Sequence, residues 1–278
     1  MRGDTILKKI IFLDIDGTIR DFDGYIPDST VKSVVRARKN GHKVCISTGR
    51  PLCQIEKRVM DIGFDGVISG SGTYVEYEGK CVLHKFIKQE VYLELCEYLL
   101  KNNCVIELQT AQESFILRSE LHEFRAIGER IGKKLGNKAK ELASMPVIMD
   151  DYRDIGKVEK ILFFGNELSN EEIIKIWGNQ FHIVPLSIPN SERYGGEITE
   201  ADVNKAQGIL SVLEASGYGR SDVIAIGDSE NDLEMLELAA VGVSMGNGSS
   251  VIKRAADIVT TPLKEDGIKN AFLKLNLI

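Results

Sequence analysis

Two apolar runs near opposite ends of the chain are each followed at once by aspartates. Ile10–Leu13 precedes Asp14-Ile15-Asp16-Gly17-Thr18, and Val223–Ile226 precedes Gly227-Asp228-Ser229-Glu230-Asn231-Asp232. Short, wholly apolar runs are typical of parallel strands that are buried on both faces, and residues at the carboxyl ends of such strands meet in one crevice. The pattern therefore predicts a parallel sheet that gathers acidic residues from both ends of the chain.

Carboxylates gathered in this way repel one another. A pair about 4 Å apart interacts unfavourably by roughly 4 kcal/mol at an effective dielectric constant near 20. Such a group is stable only when a cation lies among the carboxylates or when some of them are protonated. We therefore expect a divalent metal site that also handles phosphate, and Mg²⁺ is the cation that combines carboxylates, waters and phosphate oxygens.

The order of the predicted elements indicates an α/β fold. Strands at 9–15, 43–47 and 67–69 alternate with helices that begin near Asp28 and Pro51. From about Gly196 the same alternation returns, with helices and strands in turn at 205–216, 223–226, 231–238, 241–244, 249–256 and 258–260. Strand–helix alternation predicts parallel pairing with right-handed crossovers, and hence a doubly wound, mostly parallel, Rossmann-like core sheet.

The middle of the chain has a different pattern. A hairpin over 73–77 and 81–86 is followed by helix-like stretches mixed with strand-like runs at 105–108, 114–118, 159–164 and 182–187. This portion contains none of the acidic motifs. We expect residues 85–186, about 100 residues and a common domain size, to form an inserted α+β cap domain, and residues 1–84 and 187–278 to form the core domain.

Composition narrows the possible partners. The net charge of −6 leaves no basic stripe, which argues against nucleic acid as the main partner. The five cysteines show no C-x-x-C spacing, and we expect reduced thiols. Residues 1–9 are too polar for a secretory signal, and no stretch approaches the roughly 20 apolar residues of a membrane span. We therefore expect a cytoplasmic protein without membrane contact.

The residue types suit phosphoryl transfer. Asp14 and Asp16 are two apart, so on a strand both side chains lie on one face. One carboxylate can attack phosphorus, and the other can protonate the leaving oxygen and then take a proton from water. Asp228 supplies a further metal ligand, the Thr48 hydroxyl can hold a phosphate oxygen, and Lys205 adds a compact positive charge.

Each motif taken alone has an ordinary structural explanation. Asp-x-Asp-Gly after a strand is often a turn, and Thr48-Gly49-Arg50 before Pro51 is often the start of a helix. A lysine at position 205 could be a solvated helix residue, and Gly-Asp-x-x-Asn-Asp at a strand–helix junction could be a helix cap. The four motifs in this order, on strands that suit one crevice, favour a shared site.

The ordered set resembles the haloacid dehalogenase (HAD) superfamily of phosphohydrolases, and the resemblance covers nearly the whole chain. The Cof-type (subclass IIB) branch fits best, because a large insert separates Thr48 from Lys205. The resemblance implies that Asp14 is the nucleophile and Asp16 the general acid/base. It also implies that Thr48 and Lys205, which we count as catalytic, hold the transferring phosphoryl group.

The resemblance further implies a metal site and a phosphate site. The metal set is Asp14, Asp228 and Asp16, the last through its backbone carbonyl, with Asp232 supporting the ion from nearby. Phosphate or substrate contacts are expected from a set around the second motif and Lys205, namely Thr48, Gly49, Arg50, Lys205 and Asn231. In this family the cap selects the leaving group, so residues 85–186 are expected to set specificity.

The sequence departs from the family pattern in three places. Ser71-Gly72-Thr73 stands where Asn-Gly-Ala is common, and Ala206 follows Lys205 where glycine is common. The stretch Glu197–Asp202 is acidic where proline and glycine are common. Because the first change alters a side chain expected near the leaving group, no particular substrate is carried over from the family.

The sequence therefore predicts a magnesium-dependent phosphatase of small phosphorylated metabolites, a sugar phosphate or similar compound. Two alternatives stay open, a phosphotransferase or phosphomutase that uses the same aspartyl phosphate, and a non-catalytic metabolite-binding module. The expected partner is the small-molecule substrate alone, and the expected assembly is a monomer or a weak homo-oligomer.

Overall fold

The computed structural model describes residues 8–134, 146–165, 168–186 and 195–278. Over those ranges the strands are β1 Ile10–Leu13, β2 Lys43–Ser47, β3 Gly66–Ser69, β4 Tyr74–Tyr77, β5 Lys80–His84, β6 Val105–Gln109, β7 Ser114–Leu117, β8 Val147–Met149, β9 Lys160–Phe164, β10 Phe181–Pro185, β11 Gly195–Glu200, β12 Val223–Gly227, β13 Val241–Ser244 and β14 Ile258–Val259. The α-helices are α1 Asp28–Lys39, α2 Lys57–Met60, α3 Gln89–Lys101, α4 Leu121–Lys134, α5 Asn170–Trp177, α6 Lys205–Ser216, α7 Leu233–Leu238, α8 Ser250–Ala255 and α9 Gly267–Lys274.

Eight of these strands form the core sheet, in the order β14-β13-β12-β1-β2-β3-β4-β5. The strands from β14 to β3 pair in parallel, and the β4–β5 hairpin adds an antiparallel edge. Because the chain winds outward from β1 in both directions, the topological switch point lies at β1, where open α/β sheets bind their ligands. The predicted doubly wound, mostly parallel core sheet is confirmed.

The central strand β1 is buried on both faces. Ile11 and Leu13 belong to an apolar core that includes side chains of α1 and α9. Ile10 and Phe12 point to the other face, into a core that includes side chains of α6 and α7. Each fully buried side chain of this size contributes about 1.5–3 kcal/mol, so the two cores hold the sheet firmly beneath the residues that follow β1.

A second sheet belongs to the cap. Its six strands have the order β10-β11-β9-β6-β7-β8, and all neighbours are antiparallel except β7 and β8. One face packs on α3 and α5 around a third apolar core, which includes Trp177. The predicted α+β insert therefore exists, with its own sheet and its own hydrophobic core.

The second domain boundary expected from the sequence is wrong. Residue 187 lies outside the described residues, but β11 pairs with β9 and β10 in the cap sheet, so the cap extends to Glu200. The sequence pattern did not reveal β11, because the strand begins with two glycines and glycine weakens a strand pattern. A Cβ on Gly196 would lie 2.6 Å from Phe163 Cε1, so close packing requires glycine at that position. We therefore place the return to the core between Glu200 and Lys205.

The segment after β2 also differs from expectation. Pro51 is followed by a single 3₁₀ turn, Leu52–Gln54, and then by the one-turn helix α2, not by one continuous helix. Elsewhere the expected helices are present, and α6 has the predicted bounds, Lys205–Ser216.

The cysteines of the chain are free thiols. Cys45, Cys96 and Cys104 are buried, whereas Cys53 and Cys81 are exposed. This agrees with the expectation of reduced cysteines. Among the described residues, no helix combines the length and the apolar character that crossing a bilayer requires.

Candidate active site between the core and the cap

The expected site residues lie at the carboxyl ends of three adjacent core strands. Asp14 follows β1, Thr48 follows β2 and Asp228 follows β12. Backbone hydrogen bonds continue the sheet into these loops, because the Asp14 N–H donates to the Ile226 carbonyl at 3.0 Å and the Thr48 N–H donates to the Ile68 carbonyl at 2.8 Å. The sheet itself therefore fixes where the three loops begin.

A buried lysine links two of the aspartates. The Lys205 Nζ donates to Asp14 Oδ1 at 2.7 Å and to Asp232 Oδ1 at 2.5 Å. Lys205 is the first residue of α6, and the preceding Asn204 caps this helix by accepting a hydrogen bond from the Gln207 N–H at 2.9 Å. Because the side chain of Lys205 is only 1% exposed, its ammonium group depends on these carboxylates in place of water.

The carboxylates of Asp14, Asp228 and Asp232 converge, with oxygen atoms that all lie within 4.8 Å of one another. The prediction that Asp14 and Asp228 meet is therefore confirmed. Burial raises the pKa of Asp14 to about 7, with Asp232 adding to the rise and Lys205 opposing it. Burial and the neighbouring Asp14 and Asp232 likewise hold the pKa of Asp228 well above its usual range.

This electrostatic imbalance fits a divalent cation. Burial alone would lower the pKa of Lys205, but Asp14 and Asp232 outweigh it and raise that pKa, so the lysine stays charged. One ammonium cannot balance three buried carboxylates, and the raised pKa values of Asp14 and Asp228 mean that, without an ion, both groups favour their protonated forms. A hard cation with oxygen ligands would balance the carboxylates without those protons. Asp14 and Asp228 are the side chains that would hold it.

Asp232 has a supporting position. Its Oδ2 accepts hydrogen bonds from the N–H groups of Asp228 and Ser229, both at 3.0 Å, while its Oδ1 faces Lys205. Both oxygens are therefore engaged, and Asp232 fixes the loop that carries Asp228. Asn231 Oδ1 accepts from Lys205 Nζ at 3.3 Å and from Ser229 Oγ at 2.7 Å, which places Asn231 beside the lysine.

The side chain of Asp16 lies apart from this acidic group. Its Oδ1 accepts from Arg20 NH1 at 2.9 Å and from Arg50 NH2 at 2.8 Å, and its Oδ2 accepts from Arg50 Nε at 2.6 Å. Burial alone would lower the pKa of Arg50, but the hydrogen bonds and the charge of Asp16 outweigh burial, so this pKa is raised. The carboxylate of Asp16 is therefore bound to arginine, and only its backbone carbonyl remains as the expected metal ligand.

The residues after β2 form the wall opposite Asp228. Thr48 is buried, and its hydroxyl accepts a hydrogen bond from the Arg50 N–H at 3.2 Å, which shapes the turn. At Gly49 a Cβ would lie 3.4 Å from both Asn231 Nδ2 and Glu197 Oε2. The Thr48–Arg50 turn therefore lies directly beside the loop after β12 and beside a strand of the cap.

Two glycines permit the close approach of the acidic loops. Gly17 has φ +85°, and a Cβ there would lie 2.1 Å from Asp228 Oδ2. A Cβ on Gly227 would lie 2.5 Å from the Asp232 carboxyl group. Any side chain at either position would push the aspartates apart, which explains the glycines in Asp-x-Asp-Gly and Gly-Asp.

A cavity of about 200 Å³ lies over these loops. Its core side includes Asp14, Asp16, Thr48, Arg50, Asp228 and Asn231. Its cap side includes Gln109, Lys160, Leu162, Leu186 and Glu197. The cavity therefore joins the acidic group to the open face of the cap sheet.

Sequence reasoning missed the polar residues that the cap contributes. Lys160 is 2% exposed, and its Nζ donates to the Gly49 carbonyl and to Glu197 Oε2, the latter at 3.0 Å. Glu197 Oε2 also accepts from Ser71 Oγ at 3.1 Å. These bonds cross from the cap to the core next to the Thr48–Arg50 turn.

A signal for such residues is present in the strands themselves. In Val105-Ile106-Glu107-Leu108-Gln109, two polar side chains occupy alternate positions of a strand whose five residues are all buried. Buried polar side chains at period two indicate a polar face that looks into a site, not into a core. Arg20 was also missed, and it lies outside any strand; its side chain is buried, with 1% exposure, and forms an ion pair with Glu56 at 3.2 Å.

The sequence of the chain matches that of known proteins along nearly its full length. Residues 11–272 match the family described as haloacid dehalogenase-like hydrolase. A Bacillus subtilis protein named 5-amino-6-(5-phospho-D-ribitylamino)uracil phosphatase YitU is 28% identical over 281 residues, which cover 95% of this chain and 96% of that protein.

Solved structures show the same architecture. The crystal structure of a hypothetical protein from Geobacillus kaustophilus HTA426 matches with a TM-score of 0.79 and 29% identity, over 98% of this chain and 100% of the other. A structure described as the HAD subclass IIB sugar phosphatase BT4131 matches with a TM-score of 0.81 and 24% identity, over the same shares of the two chains, which shows a common fold. The chain belongs to the haloacid dehalogenase-like hydrolases, as its motifs predicted.

Proposed function

We propose that the protein is a magnesium-dependent phosphatase that hydrolyses small phosphorylated metabolites through an aspartyl phosphate on Asp14. The observation that carries the proposal is the meeting of Asp14, Lys205 and Asp228 under one cavity, with Thr48 on its wall. A site that only bound metabolites would not need a second carboxylate, Asp16, on the same cavity.

The residues divide the reaction between them. A carboxylate oxygen of Asp14 attacks phosphorus, the ester P–O bond breaks, and the leaving oxygen takes a proton from Asp16. Asp16 then accepts a proton from the water that cleaves the acyl phosphate, which releases orthophosphate and restores Asp14. Lys205, 2.7 Å from Asp14 Oδ1, keeps the nucleophile oriented and offsets the charge of the phosphoryl group.

Arg50 connects substrate binding to the acid/base residue. It lines the cavity and in this structure holds the Asp16 carboxylate through two hydrogen bonds of 2.6 and 2.8 Å. A phosphoryl dianion in the cavity competes for the same guanidinium, because bidentate pairing with phosphate is among the strongest contacts of arginine. Binding of substrate would thereby release the Asp16 oxygen that, among the described residues, only Arg50 holds, Oδ2, so that it can carry a proton while Oδ1 keeps its bond to Arg20.

The cation would be held by the carboxylates of Asp14 and Asp228 and by the backbone carbonyl of Asp16. When bound, Mg²⁺ neutralises charge between an anionic nucleophile and an anionic phosphate. The raised pKa values of Asp14 and Asp228 support this assignment, because each carboxyl group lies in a site that favours added positive charge.

The test is a phosphate-release assay over a panel of phosphometabolites, with and without Mg²⁺. We expect orthophosphate from at least one compound without any added acceptor, and loss of that release in EDTA. Asp14→Asn should reduce turnover by about 10⁴-fold or more, since removal of a nucleophile has effects of this order. Asp61→Asn is the matched control, because Asp61 is exposed and pairs only with Lys57 among the described residues.

The alternatives predict different results. A phosphoryl group that leaves the substrate only when an alcohol or sugar acceptor is added, and that is recovered on that acceptor, would indicate a phosphotransferase. Hydrolysis by Asp14→Asn near the wild-type rate would refute the covalent mechanism. A metabolite that binds without turnover under all conditions would indicate a binding module.

A further inference from the structure

The cap side of the cavity carries a set of buried polar groups to which the mechanism above assigns no role. Lys160, Glu197 and Gln109 all line the cavity, on β9, β11 and β6. These strands are neighbours in the cap sheet, so their side chains form one continuous face. The set is therefore part of the structure of the sheet, not a chance meeting of surface loops.

The charge of Lys160 is already balanced within this set. Its Nζ lies 3.0 Å from Glu197 Oε2 and also donates to the Gly49 carbonyl. The Lys160 side chain is 3% exposed and that of Glu197 is 12% exposed, so the pair is only weakly screened by solvent. A ligand anion placed here gains little from Lys160, and it also meets the carboxylate of Glu197.

A second carboxylate lies close behind. Glu107 is 5% exposed and accepts hydrogen bonds from Gln109 Nε2 at 3.1 Å and from Gln54 Nε2 at 3.3 Å. The cap face thus has one ammonium and two carboxylates. Its net negative charge disfavours an anionic group at the end of the cavity away from Asp14.

Gln109 provides independent evidence for a ligand. The residue is 2% exposed, and its Oε1 has no hydrogen-bond partner among the described residues although its Nε2 is engaged. A buried amide oxygen without a partner costs about 1–3 kcal/mol, and because Gln109 lines the cavity, a ligand that reaches this oxygen would relieve that cost. The missing partner is a hydrogen-bond donor.

The other residues of the cavity wall indicate how large and how polar a ligand the cavity can hold. Leu162 and Leu186 provide apolar surface beside the polar set, which suits a short carbon chain. The cavity of about 200 Å³ is smaller than ordinary ligand pockets, which begin near 300 Å³. Hydroxyl groups both donate and accept, so they match an ammonium, a carboxylate and a free amide oxygen in one small volume.

One departure from the family pattern contacts this set. Ser71 stands where asparagine is common, and its hydroxyl donates to Glu197 Oε2 at 3.1 Å. The carboxylate of Glu197 is therefore bound by the core on one side and by Lys160 on the other.

We propose that Lys160, Glu197 and Gln109 form a leaving-group subsite that accepts a small, uncharged, hydroxyl-bearing group and rejects one that carries a carboxylate. This proposal rests on the proposed phosphatase function and specifies its substrate class. Glu197 is the residue that rejects the carboxylate, because it removes the attraction of Lys160 and adds a like charge.

The experiment compares two ligands of nearly equal size, glycerol 3-phosphate and 3-phosphoglycerate. The first carries a hydroxymethyl group where the second carries a carboxylate. Each is measured as a competitor of p-nitrophenyl phosphate hydrolysis with Mg²⁺, so that binding is read whether or not the competitor reacts. The wild-type enzyme should bind glycerol 3-phosphate at least about tenfold more tightly. Glu197→Gln should reduce that ratio about tenfold, chiefly by tighter binding of 3-phosphoglycerate.

Two further variants separate the contributions. Gln109→Leu should weaken the binding of glycerol 3-phosphate about tenfold relative to the binding of inorganic phosphate in the same competition assay. Glu200→Gln is the matched control, because Glu200 lies on the same strand β11 but outside the cavity, and it should leave the ratio unchanged.

The possible results distinguish the two proposals. A wild-type enzyme that binds 3-phosphoglycerate as tightly as glycerol 3-phosphate overturns the subsite without reference to any variant. A ratio in Glu197→Gln within about twofold of the wild type also overturns it, while p-nitrophenyl phosphate hydrolysis leaves the phosphatase function standing. If the protein hydrolyses neither p-nitrophenyl phosphate nor any compound of the phosphometabolite panel in the presence of Mg²⁺, the proposed function is refuted, and the subsite proposal is refuted with it.

Discussion

The core and cap sides of the cavity are built from different parts of their sheets. On the core side, Asp14, Thr48 and Asp228 stand in loops at strand ends, where backbone bonds to neighbouring strands fix them. On the cap side, Lys160 and Glu197 stand within strands, on a face of the sheet. Loops at a switch point suit chemistry that must converge on one phosphorus atom, whereas a sheet face presents a surface that can differ between relatives.

The two sides also differ in how fully their polar groups are paired. Lys205 contacts Asp14, Asn231 and Asp232, and both oxygens of Asp232 are engaged. Among the described residues that line the cavity, the buried side-chain atom without a hydrogen-bond partner is Gln109 Oε1, on the cap side. We infer that the core side performs the same work for every substrate, and that the cap side distinguishes one substrate from another.

Among the variants that test this comparison, Asp16→Asn gives the largest expected effect. Loss of a general acid/base reduces turnover by about 10²–10⁴-fold, and a residue of the core side should do so by a similar factor for every alkyl phosphate, because their leaving oxygens need protonation to a similar degree. The measurement is kcat for the two best alkyl phosphates of the panel, with Asp61→Asn as the control. Factors that differ between the two esters by more than tenfold would break the distinction between the two sides.

The two buried lysines test the same comparison through stability. Lys205→Met leaves Asp14 and Asp232 without their cation and should lower the free energy of unfolding by about 3–5 kcal/mol. Lys160→Met removes one ion pair, with Glu197, and should cost about 1–3 kcal/mol. Urea unfolding at pH 8 in EDTA measures both. Equal losses would mean that the core side is no more tightly coupled than the cap side.

The last test is the pH dependence of the metal-free protein. The pKa of Asp14 is raised from 3.8 to about 7, so the native state holds a proton that the unfolded chain has already lost. This contribution to stability is fully present below pH 3.8 and is lost as the pH rises through about 7, at up to about 1.4 kcal/mol for each pH unit. Asp228, also raised, acts in the same direction.

The measurement is the thermal midpoint in EDTA at pH 5.5 and pH 8, for the wild type and for Asp228→Asn. The wild type should lose more stability than the variant over that interval, and Mg²⁺ should raise the midpoint more at pH 8 than at pH 5.5. A wild type that becomes relatively more stable than the variant as the pH rises would contradict the assignment of these carboxylates as the groups that bind the ion.

Local sequence patterns predicted the core well because its signals are local. The apolar runs gave β1 and β12, and the helix after Asn204 begins and ends where its cap and its following glycine indicate. The glycines at 17 and 227 mark the two places where acidic loops approach within contact distance. For β1, β12 and α6 the constraint lies within the element and the residues that flank it, so no knowledge of distant partners is required.

The cap was predicted only in outline. The strand β11 was missed because Gly195 and Gly196 weaken its pattern, although their need for close packing against Leu186 and Phe163 becomes plain in three dimensions. The role of Arg20 was missed for a similar reason, since its partners Asp16 and Glu56 are recognisable only once the chain is folded.

The sequence by itself determined the doubly wound core, the inserted cap and the acidic motifs at the strand ends, because strand burial and loop glycines follow from short stretches of residues. Only the tertiary structure decided that Lys160 and Glu197 meet beside Ser71, and that Asp16 pairs with Arg50 while Asp232 pairs with Lys205. These pairings join residues that are 27 to 126 positions apart. Electrostatic contacts over such separations depend on distance in space, and no local pattern records that distance.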